Sequence, residues 1–236
     1  MERLDKFLAD HADFSRADAQ KRIRWGRVTV DGAVVRDPSL RIDPAVQAVV
    51  YDGRPLGDGT SAYYMLNKPA GILCVSRDPK APTVVDLVPR ELRRRGLFPA
   101  GRLDKDTVGL VILTDDGDFA HRMLSPRKQV WKHYIAQLDH PLGENYRAAL
   151  ETGITLSDGT VCRPARLDPP NPDAPCTVGI HITEGKFHQV KRMFEAADNR
   201  VVALKRVAIG GLQLDPTLSE GEMRELTKGE LDAIFG

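Results

Sequence analysis

The chain has 236 residues, which at about 150 residues per domain allows one large domain or a small domain joined to a medium one. Apolar residues make up 42% of the chain and charged residues 28%, so a substantial core is available and general disorder is excluded. The formal net charge is only +1, which argues against a protein held to an anionic partner by its overall charge.

The sequence also indicates a compartment. No apolar stretch approaches the ~18 residues that a membrane-spanning helix requires, and the first six residues mix acids with bases, unlike a signal peptide. We therefore expect a cytoplasmic protein. The three cysteines, Cys74, Cys162 and Cys176, lie far apart with no C-x-x-C pair and no histidine at metal-ligand spacing, so we expect reduced thiols that serve in packing.

Two short helices and a hairpin are predicted at the N-terminus. Apolar residues at helical spacing predict a first helix that includes residues 4–8, and Ser15 is a good N-cap for a second one. Asp31 and Gly32 stand between two β-branched runs, which is a strong signal for a β-hairpin.

A change of composition then predicts a domain boundary. The segment 51–61, YDGRPLGDGTS, is typical of a turn-rich connection, and we place the boundary near residue 60, which gives domains of 1–60 and 61–236. Strands and helices follow without regular alternation, so the second domain is predicted to be α+β with a largely antiparallel sheet. The predicted strands are 63–67, 109–114, 133–138 and 178–182, and the clearest helices are 186–197 and 228–235, the latter capped by Thr227.

Basic residues are concentrated in three stretches, although the net charge is small. Bases outnumber acids five to one in 16–27, six to two in 90–105 and six to two in 186–206, whereas acids dominate from residue 212 onward. A single basic run is usually a solvated helix face, but three together favour contact with phosphates. The candidate contacts in the first stretch are Arg16, Lys21, Arg22, Arg24 and Arg27.

The most unusual segment is 99–118, where polar residues flank the apolar strand VGLVILT. Its aspartates could simply cap turns, and they lack the spacing of a calcium loop. On the helix predicted at 186–197, His188, Lys191 and Arg192 fall on the face opposite the apolar stripe. A cation presented there could pair with Asp104 and keep that carboxylate ionised.

Two family resemblances rest on these residues. The first 35 residues, with RLDKFLADHADFSRADAQKRIRWGRVTVDGAVV, resemble an S4 domain, a small RNA-binding module. The remainder resembles the pseudouridine synthases of the ribosomal small-subunit synthase A type. The matching pieces, in order, are MLNKPAG, GRLDKDTVGLVILTDDGD, KHY, EGKFHQVKRMF and IGG. Together the resemblances imply an α+β fold, a small S4-type module followed by a mixed, largely antiparallel catalytic domain.

The resemblance also implies roles for individual residues. It implies that Asp104 is catalytic, that Tyr134 stacks on the target base, that Lys191 pairs with the aspartate and that Arg102 helps to hold the flipped nucleotide. His188 and Arg192 are expected to contact RNA. The implied reaction, uridine to pseudouridine in ribosomal RNA, moves no hydride or phosphate, and the chain lacks the corresponding motifs, so we expect no cofactor and no metal.

Three interpretations of the sequence remain open. The preferred one is an isomerase that modifies small-subunit rRNA, acting as a monomer on a small-subunit assembly intermediate. A sibling enzyme acting on large-subunit rRNA or tRNA would share the chemistry. A non-catalytic S4 protein that binds RNA during ribosome assembly is the alternative from another class.

Overall fold

A computed structural model describes residues 1–12, 14–44, 46–56, 61–94 and 96–236. The chain divides into two compact units. The first unit comprises Met1–Ala62, Val88–Phe98 and Thr114–Asp116, and the second comprises Tyr63–Leu87, Pro99–Leu113 and Gly117–Gly236. The domain boundary expected near residue 60 falls at 57–60, outside the described residues, and stays a prediction.

The first unit begins with the helices and hairpin that the sequence predicts. Ser15 caps the second helix, because its hydroxyl accepts a hydrogen bond from the backbone N–H of Asp18. Asp31 and Gly32 both have positive φ, 51° and 81°, as the tight hairpin turn requires. The elements are β1 (Glu2–Arg3), α1 (Leu4–His11), α2 (Arg16–Arg24), β2 (Val28–Val30), β3 (Ala33–Val35), β4 (Arg41–Ile42), β5 (Val49–Tyr51) and β6 (Arg54–Leu56).

The prediction of a turn-rich connection at 51–61 is wrong for the first half of that segment. Strands β5 and β6 pair antiparallel and extend the hairpin into a four-stranded sheet of order β3-β2-β5-β6. The reason is a second Asp-Gly turn, at Asp52 and Gly53, with φ of 48° and 80°. The same dipeptide that predicts the first hairpin also builds this one, while residues 57–60 lie outside the described residues.

The rest of the chain forms a mixed sheet with helices placed irregularly between its strands. The predicted strands are confirmed, with ends that differ by one residue. The elements are β7 (Tyr63–Lys68), a 3-10 turn (Arg90–Leu92), β8 (Phe98–Ala100), β9 (Val108–Thr114), α3 (Gly117–Leu124), β10 (Lys132–Leu138), α4 (Glu144–Thr152), β11 (Arg166–Leu167), β12 (Thr177–Ile182), α5 (Gln189–Ala196), β13 (Val201–Ile209), β14 (Leu212–Gln213), β15 (Met223–Glu225) and α6 (Lys228–Ala233).

The sheet is largely antiparallel, which confirms the predicted α+β class. Its order is β11-β12-β10-β13-β9-β7-β15, with β8 beside β9 and β14 beside β13. Strand β13 lies antiparallel to β10 and parallel to β9, so its neighbours bring the segments around Tyr134 and Gly109 to either side of Arg206. The parallel approach requires glycine at 109, since a Cβ there would lie 2.2 Å from the Arg206 carbonyl oxygen.

Helix α5 begins later than its apolar pattern predicts. It starts at Gln189 rather than at 186, because Gln189 accepts a hydrogen bond from the Lys186 backbone N–H and donates one to Glu184, which fixes a separate turn before the helix. His188 therefore stands at the N-cap, in a left-handed conformation with φ of 49°, and not on the helical face. The predicted apolar stripe is confirmed as buried: Val190, Met193, Phe194 and Ala197.

Candidate active site

Asp104 lies on the loop between β8 and β9, which a buried lysine holds in shape. The ammonium of Lys68 donates hydrogen bonds to the carbonyl oxygens of Lys105 and Thr107, at 3.2 and 2.9 Å. A further backbone bond joins the N–H of Thr107 to the carbonyl of Asp104, at 3.1 Å. Burial lowers the pKa of Lys68 below its usual value, so these carbonyl contacts are what accommodates its ammonium. The loop is thereby fixed with the Asp104 carboxylate partly exposed.

Two basic side chains, one on α5 and one at its N-cap, lie close to Asp104. Lys191 Nζ lies 3.6 Å from one carboxylate oxygen, and His188 Nε2 lies 3.6 Å from the other. The expected pairing of Lys191 with the aspartate is thus present as an ion pair. Its shortest contact, however, is a 2.6 Å hydrogen bond to Asp106.

Asp106 is a site residue that sequence reasoning missed. The hydrogen bond from Lys191 holds the pKa of Asp106 below its usual value. Because Asp106 is anionic and lies two residues beyond Asp104, it anchors the lysine between the two carboxylates. Its position inside the GRLDKD motif was the available signal, but the motif alone does not distinguish an anchoring carboxylate from a turn cap.

Tyr134 lies on β10 and is 7% exposed, and its hydroxyl contacts a fully buried arginine. Arg206 donates from Nη1 to the Tyr134 hydroxyl and to the Arg102 carbonyl, each at 3.4 Å, and from Nε to the Leu110 carbonyl at 2.8 Å. These contacts connect the strand that bears Tyr134 with the loop that bears Asp104. Arg206 belongs to the third basic stretch of the sequence, but its burial could not be predicted from that pattern.

One cavity of about 760 Å³ brings most of the candidates together. Asp104, Tyr134, Arg102 and His188 all line it. A space of this size accommodates a nucleoside, since ligand pockets commonly span ~300–1,000 Å³. Its walls also include the backbone turn 183–187 and four basic residues that the sequence did not single out as site residues, Lys132, Arg163, Lys186 and Arg206.

Arg192 is placed differently from the other residues predicted on α5. Its guanidinium pairs with Asp158 at 2.5 Å and donates to the Phe187 carbonyl at 3.4 Å. It does not line the cavity. In this position Arg192 stabilises the turn before α5. Its direct contact with RNA stays a prediction.

The five basic residues predicted in the S4-like segment have different surroundings. Arg16, Lys21 and Arg27 pair with acids, at 3.3 Å to Asp5, 3.7 Å to Asp18 and 2.7 Å to Asp52. The Arg22 guanidinium lies over the Phe14 ring, 4.1 Å from its centre. Arg24 is exposed at the end of α2, and the adjacent Trp25 is 64% exposed. An exposed indole beside an arginine is suited to stacking on a base, a feature that charge counting missed.

One group of described residues could offer three metal ligands. His133 Nε2 and His181 Nε2 lie 3.0 and 2.9 Å from the two carboxylate oxygens of Asp168. The two imidazoles are stacked, with centroids 3.8 Å apart and 10° between their planes. A ring nitrogen binds a metal in the plane of its ring, so two nearly parallel rings cannot both bind one ion here. A carboxylate bridging two imidazoles accounts for this group.

The cysteines are free thiols, as expected. Cys74 and Cys162 are buried and Cys176 is partly buried. Burial raises the pKa of Cys74 and of Cys162, which makes both thiols poor nucleophiles. None of the helices in the described part of the chain has the length and apolar character to cross a membrane.

Comparisons with known proteins show the family to which the chain belongs. A family model described as RNA pseudouridylate synthase matches residues 62–196, and an S4 domain model matches residues 2–47. A Bacillus subtilis protein described as an uncharacterized RNA pseudouridine synthase is 44% identical over 98% of both chains. Ribosomal small subunit pseudouridine synthase A of Escherichia coli K12 is 42% identical over 98% of this chain and 99% of its own.

A solved structure extends the likeness to the fold. A crystal structure of a pseudouridylate synthase matches with a TM-score of 0.68 and 39% identity, over 99% of this chain and 100% of that one. The family model covers more than half of the chain, and the curated relatives cover nearly all of it. With an S4 domain before its catalytic fold, the chain belongs to the RNA pseudouridylate synthase family.

Proposed function

We propose that this protein converts a uridine of small-subunit ribosomal RNA to pseudouridine. The observation that carries the proposal is the position of Asp104, which lines the cavity together with Tyr134 and is contacted by Lys191 and His188. The choice of substrate is supported by relatives named ribosomal small subunit pseudouridine synthase A, which match over nearly the full length of both chains.

The reaction requires that the bond between ribose C1′ and base N1 break and that C1′ rejoin the ring at C5. Breaking the N-glycosidic bond develops positive charge on the sugar, which a carboxylate can stabilise or capture, as in glycoside hydrolysis. Asp104 supplies that carboxylate. Lys191, whose Nζ lies 3.6 Å from the carboxylate, gives it a counter-charge when the bound nucleotide displaces water.

The target base must also leave its stack, which costs a few kcal/mol. Stacking on an aromatic ring offsets part of this, with ~1–3 kcal/mol for each base stacked. Tyr134 offers such a ring within the cavity, and Arg102, an exposed residue of the cavity lining, is proposed to contact the flipped nucleotide. The S4 domain holds the RNA through sequence-independent phosphate contacts. We propose that the protein does this as a cytoplasmic monomer, without metal, on a small-subunit assembly intermediate.

The first test replaces the proposed catalytic carboxylate. We expect Asp104→Asn to slow pseudouridine formation by at least about 10³-fold, because the amide neither stabilises nor captures the developing cation, while RNA affinity stays within about threefold. Asp173→Asn, which changes an exposed aspartate that does not line the cavity, is the matched control and should retain full activity. Turnover by Asp104→Asn at the wild-type rate would refute the assignment.

The second test identifies the substrate. The protein is incubated separately with small-subunit precursor particles, with large-subunit rRNA and with tRNA transcripts, and pseudouridines are mapped by chemical modification and primer extension. We expect one new site, in small-subunit rRNA, and none with the Asp104→Asn protein. A site only in large-subunit rRNA or tRNA would keep the chemistry and overturn the substrate.

A further inference from the structure

Two buried cations line the cavity of this protein and form no salt bridge with an acid in the described part of the chain. Lys132, on β10, is 7% exposed, and Arg206, on the neighbouring strand β13, is 2% exposed. Among the described residues, no carboxylate oxygen lies within 4.0 Å of either side-chain nitrogen, and Glu184, which lines the same cavity, acts on Lys132 only from a longer distance. Both residues share the cavity with Asp104 and Tyr134.

Their hydrogen bonds leave donors unused. Lys132 Nζ donates to the Val130 carbonyl at 3.2 Å. Arg206 donates from Nε and Nη1 only to neutral oxygens, and its Nη2 is buried with no hydrogen-bond partner among the described residues. A buried donor without a partner is unfavourable, and so is a buried charge without a counter-charge. Two such groups on one cavity indicate a ligand that brings negative charge.

The proposed reaction generates negative charge inside this cavity. When the N1–C1′ bond breaks, its electron pair stays with N1, and the uracil ring becomes an anion delocalised over O2 and O4. The matching positive charge on the sugar is neutralised by Asp104. In the following step C5 bonds to C1′, the C5 proton is lost, and N1 gains a proton, so atoms and charges balance. Donors fixed where charge develops stabilise such an intermediate strongly in a water-poor site.

We propose that Lys132 and Arg206 stabilise the uracil anion that exists between cleavage of the N1–C1′ bond and formation of the C5–C1′ bond. The proposal rests on the proposed function. Asp104 stabilises the positive charge that develops on the sugar, and the two cations stabilise the negative charge that develops on the base. Arg206 is suited to this role because it already contacts the hydroxyl of Tyr134, on which the base stacks.

The protonation of Lys132 agrees with this role. Burial, with Arg206 as a second cause, lowers its pKa to about 8, while Glu184 acts in the opposite direction. The ammonium is therefore present at neutral pH. Because its pKa lies near neutral pH, it can also share its proton with a developing anion.

The test compares leaving groups of different stability. Single-turnover rates and RNA affinities are measured for wild type, Lys132→Met and Lys132→Arg on the identified RNA, with either uridine or 5-fluorouridine at the target. Fluorine at C5 withdraws electron density and stabilises the ring anion, so the reaction depends less on a protein cation. Because C5 of 5-fluorouridine carries no proton to lose, the reaction on that substrate stops after the C5–C1′ bond has formed. The rate on both substrates is therefore taken from the disappearance of the target nucleoside, followed by chromatography of the nuclease digest. Lys80→Met removes an exposed charge outside the cavity and serves as the control.

We expect Lys132→Met to react about 100-fold more slowly on uridine, with RNA affinity within about threefold of wild type. Lys132→Arg should recover most of the rate, because it keeps the charge. On 5-fluorouridine the deficit of Lys132→Met should shrink at least about fivefold, a change that a merely structural defect would not produce. Arg206 also holds neighbouring strands together, so the Lys132 variants carry the test.

Two results would overturn the proposal. Equal deficits on both substrates would assign Lys132 a structural role, and loss of RNA affinity at an unchanged rate would assign it to a phosphate instead. Failure of the proposed function is distinguishable, because the wild-type protein would then form no pseudouridine in any RNA.

Discussion

At the scale of single residues, Lys132 shows how a functional group can reduce stability. Its pKa is about 8 in the folded protein, against 10.5 for an ordinary lysine. Below pH 8 it is protonated in both the folded and the unfolded states, so the cost of burying the charge, about 3 kcal/mol, is fully present. Between pH 8 and 10.5 the unfolded chain binds more protons than the folded one, and stability rises with pH.

Lys132→Met removes this cost while filling similar volume. We expect the variant to be more stable than wild type at pH 7, by up to about 3 kcal/mol, and the difference to shrink as the pH rises above 8. Urea unfolding at pH 7 and at pH 9.5 measures both values. A difference that is equal at the two pH values would mean that packing, not charge, accounts for it.

The site residues differ in how far the sequence could identify them. The resemblance of the motifs to the family predicts Asp104, Tyr134 and Lys191 as site residues, and Lys191 lies within ion-pair distance of Asp104. Lys132 and Arg206 are present in the same motifs and basic stretches, but a sequence does not show that a cation is buried or that no acid reaches it. Those properties arise only when the strands on either side of them are brought together.

At the scale of elements, local turn chemistry was predictable and long-range pairing was not. The Asp31-Gly32 hairpin and the Thr227 cap follow from neighbouring residues, and Thr227 indeed forms a capping box with Glu230. The parallel contact of β9 with β13 joins residues almost a hundred positions apart, which no local pattern encodes. Helices α3 and α4 were missed because polar turn residues, such as Asp118, begin them or lie beside them.

The parallel contact of β9 with β13 requires glycine at position 109. Its φ is +100°, which L-residues rarely adopt, and an added Cβ would lie 2.2 Å from the backbone oxygen of Arg206. We expect Gly109→Ala to destabilise the protein by more than about 3 kcal/mol and to displace Arg206 from the cavity. Gly117→Ala is the matched control, because φ there is not positive and no atom lies within 4 Å. Urea unfolding should separate the two, and equal stabilities would contradict this account.

At the scale of the whole molecule, the net charge of +1 conceals a separation between basic stretches and an acidic C-terminal region. Phosphate contacts depend on local charge, and each one steepens the loss of RNA affinity with salt. Arg24 is exposed and has no acidic partner among the described residues, whereas Lys21 has only a 3.7 Å contact with Asp18. These two residues should therefore contribute most directly to the S4 domain's hold on RNA.

The salt dependence of RNA binding by the whole chain tests whether affinity depends on where the basic residues lie rather than on the net charge. We expect the double variant Lys21→Gln/Arg24→Gln to reduce the slope of log K against log salt by about one for each phosphate interaction that it removes, because fewer counterions are released. Lys228→Gln, which removes an exposed charge from the acidic C-terminal region, should leave the slope unchanged. Filter binding at several salt concentrations gives both slopes. If Lys228→Gln, which removes one charge, changes the slope half as much as the double variant, which removes two, net charge rather than its distribution governs binding.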